Sequence, residues 1–510
     1  MLWTVVLIVF SVFVALLVVV AAYDLLQRKH AILRNFPVIG HFRYILEAIG
    51  PELRQYIVTD NNEERPFNRD ERRWVFATSK QQNAYFGFGT DNDLERTRNY
   101  TIVKHSMFPL ESPAGAPDHP DPSRSLPCAK ILGASHDRRH AFRPSSVVNV
   151  SGMSFGSLSG PAIEALDRGC AMAGALHTSG EGGITRYHLQ GADLVWQIGT
   201  GYFGCRNEDG SFSLERAIEQ MSAAPIRAIE IKLSQGAKPG LGGLLPAKKV
   251  TAEIAAIRGV PVGVACKSPA THSAFHDVAS LITFIEDLAE ATGVPVGIKS
   301  AVGQPLFWNE LATSMATSGR GPDFITVDGG EGGTGAAPLA FSDHVSLPFR
   351  WGFTRVYRCF AEAGIADDVV FIGSGKLGLP ESALTAFALG CDMVNVGRTA
   401  LFAIGCIQSQ RCHTDRCPTG VATQNPRLAR GLDPADKGVR CGNYLAGVRF
   451  ELERLSWACG VSHPAKISAE MVEVLEDRWS AETLREMVGY EPGWGSPSAA
   501  QLAALDASMG

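Results

Sequence analysis

From about Ser145 the chain alternates between short apolar runs and helix-like stretches, and this alternation constrains the fold more than any other feature. Eight runs read as strands: Val147–Val150, Ala175–Thr178, Val195–Ile198, Ala228–Leu233, Val294–Lys299, Phe324–Val327, Val370–Ile372 and Met393–Val396. Strands alternating with helical patterns imply a parallel sheet. Eight of them fit an α/β fold of the (β/α)8 TIM-barrel type. A ninth apolar run, Val260–Ala265, reads as a connection. Ser159 followed by Pro161 marks one helix start, and a second helix runs from Pro380 to Leu389 with Gly390 as its stop. A doubly wound open sheet is the alternative; no G-x-G-x-x-G opens the first βα unit, which weighs against it.

The flanks differ in character. Leu2–Tyr23 carries no charge and is rich in Val, Leu and Ile, long enough to cross a bilayer core as a helix. A cleaved signal peptide is the rival reading, since Ala21-Ala22 resembles a small-residue cleavage site. No Lys or Arg precedes the run, however, and it is long for a signal peptide. The expectation is one N-terminal transmembrane helix over residues 2–23. Arg28, Lys29 and Arg34 follow it, so the positive-inside rule places the downstream chain in the cytoplasm, single-pass at the cell membrane. Residues 24–144 read as a wrapping or spacer region with a helix over Tyr44–Ile57 and loops over Asn61–Pro66 and Pro113–Pro127. The barrel takes 145–430. Residues 431–510 read as a helical extension, with a helix over Ala465–Arg478, then a turn-rich segment and a tail. The net charge of −5 argues against a nucleic-acid partner. Eleven cysteines, an odd count, do not read as a disulfide framework.

In a barrel of this kind the strand C-termini build the active site. The expected ends carry Ser151-Gly152-Met153-Ser154, Glu181 among glycines, Lys232 and Lys238, Lys299, Gly332-Gly333, Gly373-Ser374-Gly375, and Gly397-Arg398. Loops after the last two strands commonly hold a phosphate. Glycines there let backbone N–H groups approach the oxygens, and Arg398 adds a planar, forked cation. Taken singly, each glycine permits a tight turn; together, at the two expected strand ends, they favour a phosphate-bearing cofactor. Lysine is rarely buried unless paired. Lys232, Lys238 and Lys299 suit negative charge on a reduced flavin or a carboxylate substrate, or else ion pairs with Glu181, Glu230, Asp328 or Glu331. Glu181 can orient an amine or carry a proton, or simply pair with a lysine.

A second constellation is Cys406, Cys412 and Cys417, three thiols within twelve residues, with Pro418 after the last. The spacing C-x5-C-x4-C is neither zinc-ribbon nor thioredoxin-like. Three thiolates suit a 3Fe–4S cluster, and Cys391 or Cys441 would be needed for a fourth ligand. The other reading is three ordinary thiols in a loop.

These pieces in order, Ser151-Gly-Met-Ser154, Ser179-Gly-Glu-Gly-Gly183, Gln235-Gly-Ala-Lys-Pro-Gly240, Gly332-Gly-Thr-Gly335 and Cys417-Pro-Thr-Gly-Val-Ala-Thr-Gln424, resemble the FMN-binding synthase domain of glutamate synthases. The chain looks like a short, stand-alone, membrane-anchored member. The resemblance implies a barrel holding FMN with a 3Fe–4S cluster beside it. It implies an oxidoreductase acting on CH–NH2 donors, converting 2-oxoglutarate and ammonia to glutamate through 2-iminoglutarate. Carried over by position, Lys232, Lys238 and Glu181 would be catalytic, and Arg258 with Lys238 would bind substrate. Ser151, Gly152, Met153, Ser154, Lys299, Gly332, Gly333, Gly373, Ser374, Gly375, Gly397 and Arg398 would hold FMN. Cys406, Cys412 and Cys417 would ligate the cluster. An electron donor is required, and no nicotinamide motif stands out.

Two departures bear on the activity. The full-length family carries a glutaminase domain ahead of the barrel, where this chain has an apolar run and an unrelated segment, so ammonia is expected from elsewhere. Leu241 and Leu244 stand where the family usually has Glu and Gln. That points to a different 2-oxo acid or imine as the alternative substrate, with a membrane-docked electron-transfer subunit as a third reading.

Overall fold

The computed structural model of the protein describes residues 2–27, 33, 35–53, 62–85, 87, 89–90, 92–112, 118–477 and 479–509. Arg28, Lys29, Arg34, 54–57, Asn61, 113–117 and Arg478 lie outside the described residues. The chain forms two compact units, Met1–Asp70 and Glu71–Gly510.

In the first unit, helix α1 spans Leu2–Leu26. Over Trp3–Leu26 it is long and apolar enough to cross a membrane, with mean hydropathy 3.3. Its side chains are exposed along almost the whole length; Asp24 is the buried exception. The Asp24 carboxylate accepts the Val38 N–H at 2.8 Å and bonds His41 Nε2 at 2.9 Å. A second helix, α2, follows over Gly40–Leu53.

In the second unit eight parallel strands close a barrel. They are β1 Val148–Val150, β2 His177–Thr178, β3 Leu194–Ile198, β4 Ile226–Lys232, β5 Val296–Ser300, β6 Phe324–Asp328, β7 Val370–Ser374 and β8 Met393–Val396. Each strand pairs with its neighbour in sequence, and β8 closes the ring on β1 with Val396 opposite Val150. The expected strands are therefore the observed ones. Val260–Ala265 is the turn that leads into a two-residue strand, Cys266–Lys267, paired antiparallel with Leu244–Leu245.

Local signals explain the helices. Ser159 caps α3 (Gly160–Ala173) through Ala162 N–H, Pro161 occupies its first turn, and Gly174 ends it at φ 59°. Helix α4 (Pro380–Ala388) likewise begins at its proline. The long helix α5 (Pro434–Ala458) lies close against α3 because Gly169 leaves no room for a side chain: a Cβ there would stand 2.4 Å from that of Cys441.

The floor of the barrel is filled from outside its own strands. Cys128, Leu132 and Phe142 join Leu176, Val195 and Phe324 in one buried cluster. Gly297 on β5 makes the space that the Phe324 ring occupies, since a Cβ would lie 2.4 Å from the ring. Arg138 then fastens this segment to the barrel. Its guanidinium reaches Asp323 at 3.0 Å and Glu286 at 2.7 Å, and His136 Nδ1 meets Asp323 at 2.8 Å.

The C-terminal region departs from expectation. Residues 465–477, the described part of the expected Ala465–Arg478 helix, are not one helix: 3-10 turns lead into a strand, Val472–Leu475, paired antiparallel with Tyr100–Val103. The Val-Glu-Val-Leu run alternates buried and half-buried positions, a period of two that suits a strand. The terminal residues form a helix, Ala499–Met509, with Leu505 buried against Ala129 and Ala465.

Removing one partner from a buried charge network costs roughly 3–5 kcal/mol. Arg138→Met should therefore lower unfolding stability by about 3 kcal/mol, read as a drop in the denaturant midpoint. A change within ~0.5 kcal/mol, the usual range for surface sites, would show that the floor segment is not held by this network.

Candidate functional site

Period-two alternation points Glu230 and Lys232 of β4 the same way. In-register pairing sets Gln197 of β3 beside Glu230, and Lys299 of β5 beside Lys232. The deeper layer is neutralised by hydrogen bonds. Gln197 Nε2 donates to Glu230 Oε1 at 2.5 Å, and Thr326 Oγ1 donates to Oε2 at 2.7 Å. Above it, Lys299 Nζ lies 3.6 Å from Asp328 Oδ2 at the end of β6. Burial pulls the Lys299 pKa down, but the charges of Asp328 and Glu230 outweigh that and raise it, so this lysine is cationic.

Glu181, in the loop after β2, ion-pairs with Lys232 at 3.1 Å. Burial raises its pKa; Lys232, Lys238 and Arg258 together outweigh burial and hold it below the ordinary value. Two glycines make way for it. A Cβ on Gly199 or Gly243 would come within 2.7 or 3.0 Å of its carboxylate oxygens. Lys238, in the loop after β4, is buried and donates to Gly242 O at 2.9 Å. Burial, then the charge of Lys232, lowers its pKa. Lys232, Lys238 and Glu181 thus form one electrostatic group at the barrel mouth.

Arg258 stands beside this group. It donates to Phe155 O at 3.0 Å and lies over the Phe203 ring, 5.1 Å from its centroid. Its Nη2 is 3.4 Å from Ser154 Oγ, while its buried Nε has no hydrogen-bond partner among the described residues. The β1 loop from Ser151 to Ser154 is pressed onto Gly180, where a Cβ would be 2.4 Å from Ser154 N. Gly152 faces the Gln197 amide.

At the other side of the mouth, Arg398 follows β8 and donates to the Glu331 carbonyl. Its chain packs on Gly333, with Gly332 beside Asp328. Gly375, at φ 126°, lies against the Gly329 backbone, which a Cβ there would meet at 3.1 Å. Gly373 is a packing residue between Leu377, Phe349 and Cys391, and Ser374 is buried on β7. Gly397 faces open space: a Cβ there would meet nothing nearer than Ser151 Cβ at 4.0 Å. A cavity of about 310 Å3 at the end of β7 is lined by Gly375, Lys376, Arg350, Glu331, Glu381 and Glu71. Open backbone at Gly397, with the Arg398 cation beside it, fits an anionic group such as a phosphate.

The cysteine loop follows β8. Cys406 is half-buried, Cys412 exposed and Cys417 buried. Burial pushes the Cys406 thiol up to about 12, with Cys412 and Cys417 adding to the rise. No three His, Cys, Asp or Glu side chains converge as a metal-ligand set among the described residues. Three non-glycine residues of the loop, Gln408, Gln410 and Asp415, have φ of 57°, 55° and 61°. Lys249 holds the loop, donating to Cys412 O at 2.9 Å, Ala422 O at 3.0 Å and Ser157 O at 3.1 Å. A soft, all-thiol donor set with a cation beside it fits an iron–sulfur centre in kind. Cys391 and Cys441 are core thiols, the first packed on Gly373 and the second on Gly169.

His272 was not singled out from sequence. It is buried, with Nε2 2.9 Å from Lys232 O and Nδ1 3.1 Å from Tyr202 Oη. Burial holds its pKa down, so the ring is neutral. No local motif marks it; only the fold brings it behind Lys232.

The assembly is a parallel-barrel protein with buried cations at the C-terminal mouth and a thiol loop after the last strand. The family model described as a conserved region in glutamate synthase matches residues 128–462; the chain belongs to the glutamate synthase family. Glutamate synthase large subunit-like protein YerD of Bacillus subtilis is 38% identical over 476 residues, 88% of this chain and 90% of that protein. The archaeal glutamate synthase (NADPH) of Methanocaldococcus jannaschii is 35% identical over 318 residues, 62% of this chain and 59% of that protein. The chain thus spans under two thirds of the archaeal relative. Among solved structures, a flavocytochrome b2 with sulfite bound aligns over 94% of this chain and 93% of its own, with TM-score 0.44 and 14% identity.

The Glu181–Lys232 pair gives a pH signature. A depressed carboxyl contributes stability above its unfolded pKa and loses it as pH falls through the folded value. Lys232→Met removes the largest opposing charge and should cost about 3 kcal/mol at pH 7, with the deficit shrinking toward pH 4. Equal deficits at both pH values, in melting curves, would contradict the pairing.

Proposed function

We propose that the protein is a glutamate-synthase-like oxidoreductase that uses FMN and an iron–sulfur cluster to aminate a 2-oxo acid reductively. The observation that carries the reading is the convergence of Lys232, Lys238 and Glu181 beside the Lys299–Asp328 pair. Family membership supplies the reaction class, and 2-oxoglutarate with ammonia is the substrate pair it favours.

FMN, when bound, supplies the hydride that reduces a C=N bond. The residues that would hold it are Ser151 to Ser154, Lys299, Gly332, Gly333, Gly373 to Gly375, Gly397 and Arg398. Lys299, kept cationic by Asp328, favours negative charge where it points. Lys232 and Lys238 bind and orient the carboxylates of the acid; fixed charges of this kind need no reorganisation during the step. Glu181, with its depressed pKa, is ionised at neutral pH. It can accept a hydrogen bond from ammonia and hold a proton at its carboxylate as the imine forms. His272 fixes the Lys232 backbone from behind. Cys406, Cys412 and Cys417 would hold a 3Fe–4S cluster, with Lys249 compensating its negative charge. The apolar helix α1 would anchor the chain in the cell membrane with the barrel in the cytoplasm, and the electron donor and ammonia would come from there.

A second reading keeps the flavin chemistry and changes the acid. Leu241 and Leu244 are each more than a third exposed and flank Gly242 and Gly243, which touch Lys238 and Glu181. An apolar rim there favours a 2-oxo acid or imine with an apolar side chain.

The test is an anaerobically prepared protein assayed with ammonia, 2-oxoglutarate and an artificial reductant, with FMN and iron measured on the same sample. Glutamate formation is expected. None at any ammonia concentration, with both groups bound, would reject 2-oxoglutarate and leave the second reading. Lys238→Ala should keep its FMN and lose turnover by about 100-fold or more. An unchanged rate would remove Lys238 from the site.

A further inference from the structure

The structure assigns α2, Gly40–Leu53, to the membrane surface: we infer that this helix lies in the lipid headgroup region with its apolar face toward the acyl chains. The inference rests on the anchor reading of α1 and deepens it.

The face is laid out by helical spacing. Phe42, Ile45, Leu46 and Ile49 fall at i, i+3, i+4 and i+7, the stripe of an amphipathic helix. All four are exposed, Phe42 at 62%, Ile45 at 54% and Ile49 at 44%. Phe36 and Ile39, in the turn before the helix, extend the patch and are exposed as well. Arg43 and Glu47 lie around the helix from them, on the polar side. A contiguous apolar patch on a surface helix marks an interaction site.

Three observations select lipid as the occupant. First, the patch is continuous with the exposed apolar helix α1. Asp24, near the end of α1, accepts the Val38 N–H and bonds His41 in the first turn of α2. The start of α2 is thereby tied to the point where the apolar helix ends. Second, α2 has 14 residues, about 21 Å at ~1.5 Å per residue, too short to cross a hydrocarbon core of ~30 Å. It can lie along the surface and cannot form a second span. Third, an apolar stripe with polar residues on the other side suits burial to a depth of ~5–10 Å at the headgroup boundary. The sequence places Arg28, Lys29 and Arg34 between the two helices, cations that match an anionic headgroup layer.

The experiment uses the full chain in nanodiscs of phosphatidylcholine and phosphatidylglycerol carrying a tail-labelled lipid. A p-benzoylphenylalanine photocrosslinker replaces one residue at a time: Ile45, Ile49, Glu47, and Val12 within α1. Lipid adducts are expected at Ile45 and Ile49 in about tenfold excess over Glu47, with strong adducts at Val12. Equal lipid labelling at Ile45 and Glu47 would overturn the inference. So would adducts at Ile45 to a second copy or to the rest of the chain. Lipid at Val12 without lipid at Ile45 would overturn the inference and leave the anchor. No lipid at either position would remove both.

Discussion

The structure turns on how a barrel of apolar strands accommodates ionic side chains at its mouth. Desolvating a charge costs several kcal/mol unless it is paired and hydrogen-bonded. Parallel pairing supplies partners automatically, because residues of like face on adjacent strands stand beside each other. Gln197 on β3 bonds Glu230 on the adjacent β4 below the mouth, and Thr326 reaches the same carboxylate from β6, one strand beyond β5. Lys299 and Asp328 repeat the arrangement one layer up. Lys238 breaks the pattern. Its ammonium donates to the Gly242 carbonyl, and burial and Lys232 weaken its hold on the proton while the Glu181 charge partly opposes them. A buried cation of this kind is well placed to gain from an anionic ligand.

Floor and mouth divide the work. The floor carries the Arg138, Glu286 and Asp323 network and the aromatic filling around Phe324; nothing there needs to move or bind. The mouth is built from loops whose glycines are steric necessities. Gly199 and Gly243 leave room for the Glu181 carboxylate, and Gly180 leaves room for the Ser154 backbone. Any side chain at these positions would displace a group that the site uses. The glycines of the Gly-Glu-Gly-Gly motif serve close packing, Gly180 against the Ser154 backbone and Gly182 against Ser154 and Arg258, while the space around the carboxylate comes from Gly199 and Gly243.

The eight strands were legible because each is a short apolar run bounded by a helix signal, and because helices between them leave only a parallel arrangement. The strand-end lysines and Glu181 were legible for the same reason: the fold fixes which end of each strand is functional. What escaped was non-local. The partners of Glu230 lie 33 and 96 residues away, and His272 reaches Lys232 from a connection without a motif. The segment at 465–478 misleads because Lys, Glu, Met and Leu favour a helix locally, while pairing with Tyr100–Val103 from the far side of the sequence turns it into a strand. The fastening role of residues 126–147 was invisible, since neither hydrophobic pattern nor motif says that a loop will plug a barrel.

The leucines at 241 and 244 separate chemistry from specificity. The glycines between them, Gly242 and Gly243, still contact Lys238 and Glu181, so the groups that carry charge and protons keep their geometry. The Leu241 and Leu244 side chains stand at the rim, and both are partly open to solvent. A pocket that loses a hydrogen-bonding group gives up discrimination by several orders of magnitude, whereas a positioned lysine and carboxylate act on any acid whose carboxylate reaches them. The charged groups are thus held by the loop backbone and glycines, while the side chains at 241 and 244 stand apart at the rim, where they can change without moving those groups.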